Sequence, residues 1–227
     1  MDDVYTEDFF DSHTQIDCPT SMQVFGPSFC GKSLFIGQLL RSKDKMFRDT
    51  LTGIMFVYAE WQDIYTELER DIPMIKFTNR LPTQEEIDEF APSNSKEHKL
   101  IVFDDVPSLL GDCKYFESFF QIKSHHRYCS VITVHHSLFG KSIRHCSLSA
   151  KMIVLFNTPR CQLQVRTLSS QMHPTKQKYF LSAFNHAVAR RFGYLCVNLD
   201  PRADERLHLT SNILPGEGPV IAYLHSG

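Results

Sequence analysis

The chain has 227 residues, an apolar fraction of 42% and a formal net charge of −2, which suits one globular α/β domain with a sizeable core. No apolar run reaches the roughly 18 residues of a membrane span, and no basic, apolar leader opens the chain. Seven scattered cysteines without a Cys-x-x-Cys pair argue against a disulfide framework and for a reducing, intracellular setting.

Residues 1–18 are acidic and aromatic and are expected to form a flexible arm, with a single domain over 19–227. Residues 21–25 read as a first strand. They run into GPSFCGKS (26–33), a Gly-x-x-x-x-Gly-Lys-Ser phosphate cradle, with a helix over 32–42 behind it. Gly26 and Gly31 let consecutive backbone N–H groups turn inward, where they and the positive helix end bind phosphate. Lys32 reaches the β and γ oxygens, and the Ser33 hydroxyl ligates Mg²⁺. Pro27, Ser28, Phe29 and Cys30 fill the loop, and Leu34 completes the binding stretch. Cys30 reads as a small filler or a redox target.

A second strand is predicted over 53–59 and a helix over 61–70, with Asp63 and Glu67 on one face. Glu60 and Trp61 fall just past that strand, as a structural corner or a switch. A short strand follows at 74–77. Thr83 ahead of Glu85 and Glu86 signals a helix over 84–90. After a loop at 91–99, LIVFDD (100–105) delivers acids to the carboxyl edge of a sheet, where α/β ligands bind. Asp104 is expected to hold Mg²⁺ through water. Asp105 is expected to orient and deprotonate an attacking water. The doubled acid favours a hydrolase, and the lack of an Asn-Lys-x-Asp motif argues against a GTPase.

The second half reads as helix 115–123, strand 129–135, strand 151–156, helices 162–170 and 176–190, and strand 193–199. Near-continuous apolar strands alternating with helices indicate a mostly parallel sheet covered on both faces. Charge divides unevenly: residues 1–115 hold 11 Lys+Arg against 21 Asp+Glu, and residues 116–227 hold 13 against 5. No acid occurs between Ser118 and Leu199, so this basic stretch suits a polyanion such as double-stranded DNA. Within it, residues 123–127 (KSHHR) read as a DNA-facing segment or a solvated turn. The histidines and cysteines of 125–146 fit no zinc-ligand spacing.

Taken in order, GPSFCGKS, YAEWQDIYTEL (58–68), LIVFDD, SHHRYCSVITVHHSLFGKS (124–142), SLSAKMIVLFNTPR (147–160), QMHPTKQKYF (171–180), GYLCVNL (193–199) and LTSNILP (209–215) resemble the FtsK/HerA-type DNA-packaging ATPases of large DNA viruses and Polinton/Maverick (adintovirus-like) elements. The resemblance covers about residues 20–215. It implies an ASCE-type P-loop NTPase with an extra strand between the cradle strand and the acid strand. It implies ATP and Mg²⁺ as ligands and a homo-oligomeric ring, usually hexameric, around double-stranded DNA. Capsid or portal proteins, and a host-nuclear, cytoplasmic or virion-associated location, go with it. By position, His136 takes the place of the usual polar sensor, commonly Gln, near the γ-phosphate. Arg144 and Arg160 are the candidates for an arginine supplied in trans. Two other readings of the same residues stay open: a nucleoside or nucleotide kinase, and an ATP-binding scaffold with little hydrolysis.

Overall fold

The computed structural model describes residues 15–105, 119, 126–139, 149–157, 160 and 162–225. Nine strands form one sheet: β1 (Ser21–Phe25), β2 (Leu51–Tyr58), β3 (Ile75–Thr78), β4 (His98–Asp104), β5 (Cys129–His135), β6 (Met152–Phe156), β7 (Tyr194–Asn198), β8 (Leu209–Ser211) and β9 (Ile221–Ala222). Their spatial order is β3-β2-β4-β5-β1-β6-β7-β8-β9. The first six in that order are parallel, and β7, β8 and β9 extend the sheet antiparallel. β1 and β5 are buried at every position. Central parallel strands have no solvent face, so even polar residues such as Gln23, Ser130, Thr133 and His135 are buried.

Helices α1 (Lys32–Arg41), α2 (Lys43–Met46), α3 (Asp63–Asp71), α4 (Gln84–Phe90), α5 (Gln162–Met172) and α6 (Gln177–Ala187) complete the described secondary structure, with a 3₁₀ turn at Glu205–Leu207. Apolar residues of α1 and α3 pack one face of the sheet, against Val24, Phe56, Leu100 and Val134. On the opposite face, α5 and α6 cover Phe25, Ile153, Leu155 and Val197. Residues at the end of α4 cover Ile101, Phe103 and Val131 there. α4 begins on a reciprocal capping box, in which the Thr83 hydroxyl accepts from the Glu86 N–H and the Glu86 carboxylate accepts from the Thr83 N–H. The chain therefore has the expected α/β P-loop NTPase fold, mostly parallel with helices on both faces.

Some expectations shift. The loop expected at 91–99 ends sooner, with β4 starting at His98, because His98 is buried against Ser130 and the Asp49 carbonyl. The short helix α2 and strands β8 and β9 were not anticipated. Ile16, inside the expected arm, is buried and bonds through its backbone to Met46 and Arg48. The helix expected at 115–123 lies outside the described residues except for Phe119, which is buried. Arg127, inside the segment offered as DNA-facing, is only 8% exposed. It pairs with Asp88 at 2.9 Å and donates to the Ala91 carbonyl. It is therefore an internal tie to the acidic half of the chain, not a free surface cation. Arg160, Arg166, Lys176, Lys178, Arg190 and Arg191 are exposed.

Beneath the carboxyl edge, Gln23, Thr133 and His135 are buried, and their side-chain polar atoms have no hydrogen-bond partner. All three lie on one face of the paired strands β1 and β5. Burial lowers the His135 pKa to about 4, so its ring is neutral at pH 7 and stacks on Phe25.

Candidate nucleotide-binding site

Strand register assembles the site. Val24 is level with Val134, which is level with Asp104. Just past the strand ends the three chains leave the sheet as Gly26, His136 and Asp105, two residues beyond Val24 and Val134 and one beyond Asp104. The cradle, the acid pair and His136 thus share one carboxyl edge, with β5 standing between the cradle strand and the acid strand. This is the strand insertion implied by the resemblance. Together they border a cavity of about 800 Å³.

Two glycines are required here for different reasons. A Cβ on Gly26 would collide with the Cys30 sulfur and lie 2.8 Å from Phe156 Cβ. Gly31, the residue before α1, has φ +112°, a region closed to most side chains, and a Cβ there would lie 3.0 Å from the Phe192 ring. α1 starts immediately after it and directs its unpaired N–H groups at the cavity. Lys32 Nζ donates to the Gly26 and Pro27 carbonyls at 2.8 and 2.9 Å, which holds the ammonium under the loop. Burial lowers the Lys32 pKa, opposed by the nearby Cys30, Asp104 and Asp105. Burial raises the Cys30 pKa, the opposite of what an oxidation-prone thiolate needs.

Asp104 is 4% exposed. Burial pushes its carboxyl above the usual range, while the Tyr65 hydroxyl, which donates to its Oδ2 at 2.5 Å, favours the charged form. Asp105 and His136 are half exposed at the cavity, with His136 Nε2 and Asp105 Oδ2 2.8 Å apart. The Ser33 hydroxyl donates to Gln62 Oε1 at 2.8 Å. Ser33 and Asp104 offer hard oxygen donors, the type Mg²⁺ prefers. Among the described residues no group of three or more His, Cys, Asp or Glu could hold a metal alone. The donor set therefore fits an ion that takes its remaining ligands from phosphate and water.

Of the expected residues, Ser28 through Leu34, Asp104, Asp105 and His136 line the cavity. Arg160 is exposed but is not among the lining residues, and Arg144 lies outside the described residues. Sequence reasoning missed Gln62, Asn157 and the turn 190–193, which close the cavity wall. Arg191 stacks over the Phe192 ring at 4.7 Å. Phe29, Asp105 and Phe192 all hold positive φ without being glycine, and all three border the cavity. Such backbone strain gathers at functional sites. The Arg-Arg-Phe-Gly run at 190–193 carried the one signal that could have flagged this wall: cations and an exposed aromatic just before a strand.

No protein-family model matches the sequence, and no curated protein sequence matches it. Among solved structures, the chain is similar to EssC (ATPases 2 and 3) from Geobacillus thermodenitrificans, at 12% identity and a TM-score of 0.46, over 64% of this chain and 33% of that one. It is also similar to the cytoplasmic domain of the type VII secretion ATPase EccC of Thermomonospora curvata, at 13% identity and 0.44, over 62% and 21%. A third is the pCW3 conjugation coupling protein TcpA with ATPγS, at 10% identity and 0.46, over 87% and 66%. The chain thus spans a third or less of the matched EssC and EccC chains.

Proposed function

We propose that this protein is an FtsK/HerA-type ATPase that couples ATP hydrolysis to movement of double-stranded DNA, as the packaging motor of a viral or Polinton-like element. The observation that carries the reading is the shared edge: Lys32, the Asp104–Asp105 pair and His136 border one cavity, at the carboxyl ends of three neighbouring parallel strands of which β5 is the middle one. The loop N–H groups and Lys32 bind the triphosphate. Ser33 and Asp104 would hold Mg²⁺, which when bound neutralises phosphate charge. Asp105 accepts a proton from the attacking water, and His136 fixes the Asp105 carboxylate. That bond needs a proton on Nε2, which the Nε2–H tautomer and the imidazolium both supply.

A single copy leaves the developing phosphoryl charge to Lys32 and the cavity wall. A guanidinium from the next copy in a homo-oligomeric ring, Arg144 or Arg160, supplies the rest. The exposed cations of the acid-free stretch contact the duplex. Capsid or portal proteins are the further partners, and the protein acts in the host nucleus or cytoplasm or with the virion.

The test is phosphate release with and without double-stranded DNA, together with size measurement in ATP. Hydrolysis stimulated by DNA in a ring-sized species supports the reading. Phosphate appearing on a nucleoside or nucleotide acceptor would establish the kinase alternative instead. Tight ATP binding without turnover, with or without DNA, would establish the scaffold.

A further inference from the structure

Both residues assigned to Mg²⁺ are touched by the first turn of α3. Gln62 is the residue before that helix, and its side chain makes no helix cap. It reaches across to α1 instead, where Oε1 accepts the Ser33 hydroxyl proton at 2.8 Å. Three residues on, Tyr65 is 1% exposed and donates its hydroxyl to Asp104 Oδ2 at 2.5 Å.

Each bond takes up one hydrogen-bonding valence of a metal ligand and leaves the rest. A serine hydroxyl has one proton and two lone pairs. With the proton committed to Gln62, the lone pairs are free for a cation. A carboxylate has two oxygens, and the phenol occupies Oδ2, so Oδ1 is left for the ion or its water. Without these partners the Ser33 hydroxyl would rotate freely and the Asp104 carboxylate plane would lose its anchor.

The support is rigid. The Tyr65 ring packs within 5.7 Å, centroid to centroid, of Phe56, Tyr58, Trp61 and Phe77. α3 is tied to α1 through Arg41, which pairs with Glu67 and Asp71 at 2.8 and 2.9 Å. Gly37 of α1 lies so close to Ile64 that an added Cβ would be 2.8 Å from its Cδ1. One helical turn therefore fixes the cradle ligand and the acid-strand ligand relative to each other.

We infer that Gln62 and Tyr65 are positioning residues for the divalent cation and set its affinity, acting through Ser33 and Asp104. This rests on the ATPase reading above. Ligand-orienting partners of this kind are worth about 10- to 100-fold in metal affinity.

The test is Mn²⁺ binding by electron paramagnetic resonance, with a non-hydrolysable ATP analogue present, in wild type, Gln62→Ala, Tyr65→Phe and Gln62→Glu. Binding of the analogue in EDTA is measured in parallel. Gln62 is exposed and Tyr65→Phe keeps the packed ring, so all three variants are expected to fold. The expected result is a Mn²⁺ dissociation constant raised about tenfold in Gln62→Ala and in Tyr65→Phe, with metal-free nucleotide binding within about twofold of wild type. Gln62→Glu, which still accepts the Ser33 proton, keeps wild-type or tighter Mn²⁺ binding. Unchanged Mn²⁺ affinity in both loss variants, beside normal nucleotide-dependent Mn²⁺ binding by wild type, overturns this inference and leaves the ATPase reading standing. Absence of nucleotide-dependent Mn²⁺ binding in wild type overturns the ATPase reading itself, and this inference with it.

Discussion

His136 Nε2 lies 2.8 Å from Asp105 Oδ2, which joins the residue after β5 to the residue after β4 across the mouth of the cavity. Asp105 sits at φ 56°, a conformation few residues adopt without support. The imidazole fixes a carboxylate that the backbone has already aimed. Asp105→Asn is expected to keep ATP affinity and lose about 10²- to 10⁴-fold in turnover, the usual worth of a general base. His136→Ala should lose less, because the carboxylate remains, and His136→Gln should recover part of the loss by donating the same bond. Steady-state phosphate release beside equilibrium nucleotide binding separates these outcomes. Equal turnover in Asp105→Asn would remove Asp105 from the role.

Lys32 presents the reverse case, a binding residue with little structural worth. Its ammonium is buried and its pKa is lowered by that burial, so the folded state gains little from it apart from two bonds to loop carbonyls. Lys32→Ala should weaken ATP binding about 10- to 100-fold, the loss of one charge-assisted contact to phosphate. Its melting temperature should stay level or rise. Titration with a fluorescent ATP analogue and a thermal melt check both halves.

The strands that carry these groups were legible for a physical reason. β1, β4 and β5 are central and parallel, so they are mostly apolar, and Gly26 after β1 and the Asp104–Asp105 pair at the end of β4 mark where the chain leaves the sheet. The sheet beyond β6 was less legible. Two helices, α5 and α6, lie between β6 and β7, and β7 pairs antiparallel with β6. β8 and β9 have three and two residues, too short for any period to register. Tyr65 shows a second limit. With Leu68 three residues on, it reads as helix core, and it is core, but periodicity locates the ring and says nothing of where the hydroxyl points. Gln62 carries no pattern at all, since its role comes from the approach of α1 and α3.

Phe192 tests the cavity wall that the sequence did not reveal. Its ring lies against Gly31 on one side and under the Arg191 guanidinium on the other, and it is partly exposed. Phe192→Ala should weaken nucleotide binding about tenfold, one contact of roughly 1.4 kcal/mol. Phe29, which is 99% exposed, makes no such contact with the cradle. Phe29→Ala should leave ATP affinity of the isolated chain unchanged. The same binding titration compares the two.

Arg127 separates basic residues that hold the fold from those available to DNA. It is buried and bonded to Asp88 and the Ala91 carbonyl. Arg127→Met should lower unfolding free energy by about 1–3 kcal/mol, the worth of hydrogen bonds to a charged group. The salt dependence of DNA binding should not change, because no phosphate contact is lost. Lys176→Ala with Lys178→Ala, both exposed, should do the opposite: stability kept, and a shallower salt slope. Urea melts and DNA titrations at several salt concentrations read the two effects.

Acid should destabilise the protein through His135. Its folded pKa is about 4, lowered by burial, whereas the unfolded ring titrates near 6.5. Between those values the unfolded chain binds the proton and the folded chain does not, so stability rises with pH across that window and falls as pH drops through it. A shift of this size corresponds to about 3 kcal/mol lost between pH 6.5 and pH 4. Asp104 works against it, because its raised pKa lets the folded state bind a proton that an unfolded carboxyl would release. His98, also lowered by burial, adds to the His135 effect. His135→Leu should therefore flatten the pH dependence of urea unfolding between pH 6.5 and 4 without abolishing it. It should also raise stability at pH 7, because the two ring nitrogens it removes are buried and unpartnered. A slope unchanged in the variant would mean that the ring already finds a proton partner in the folded chain.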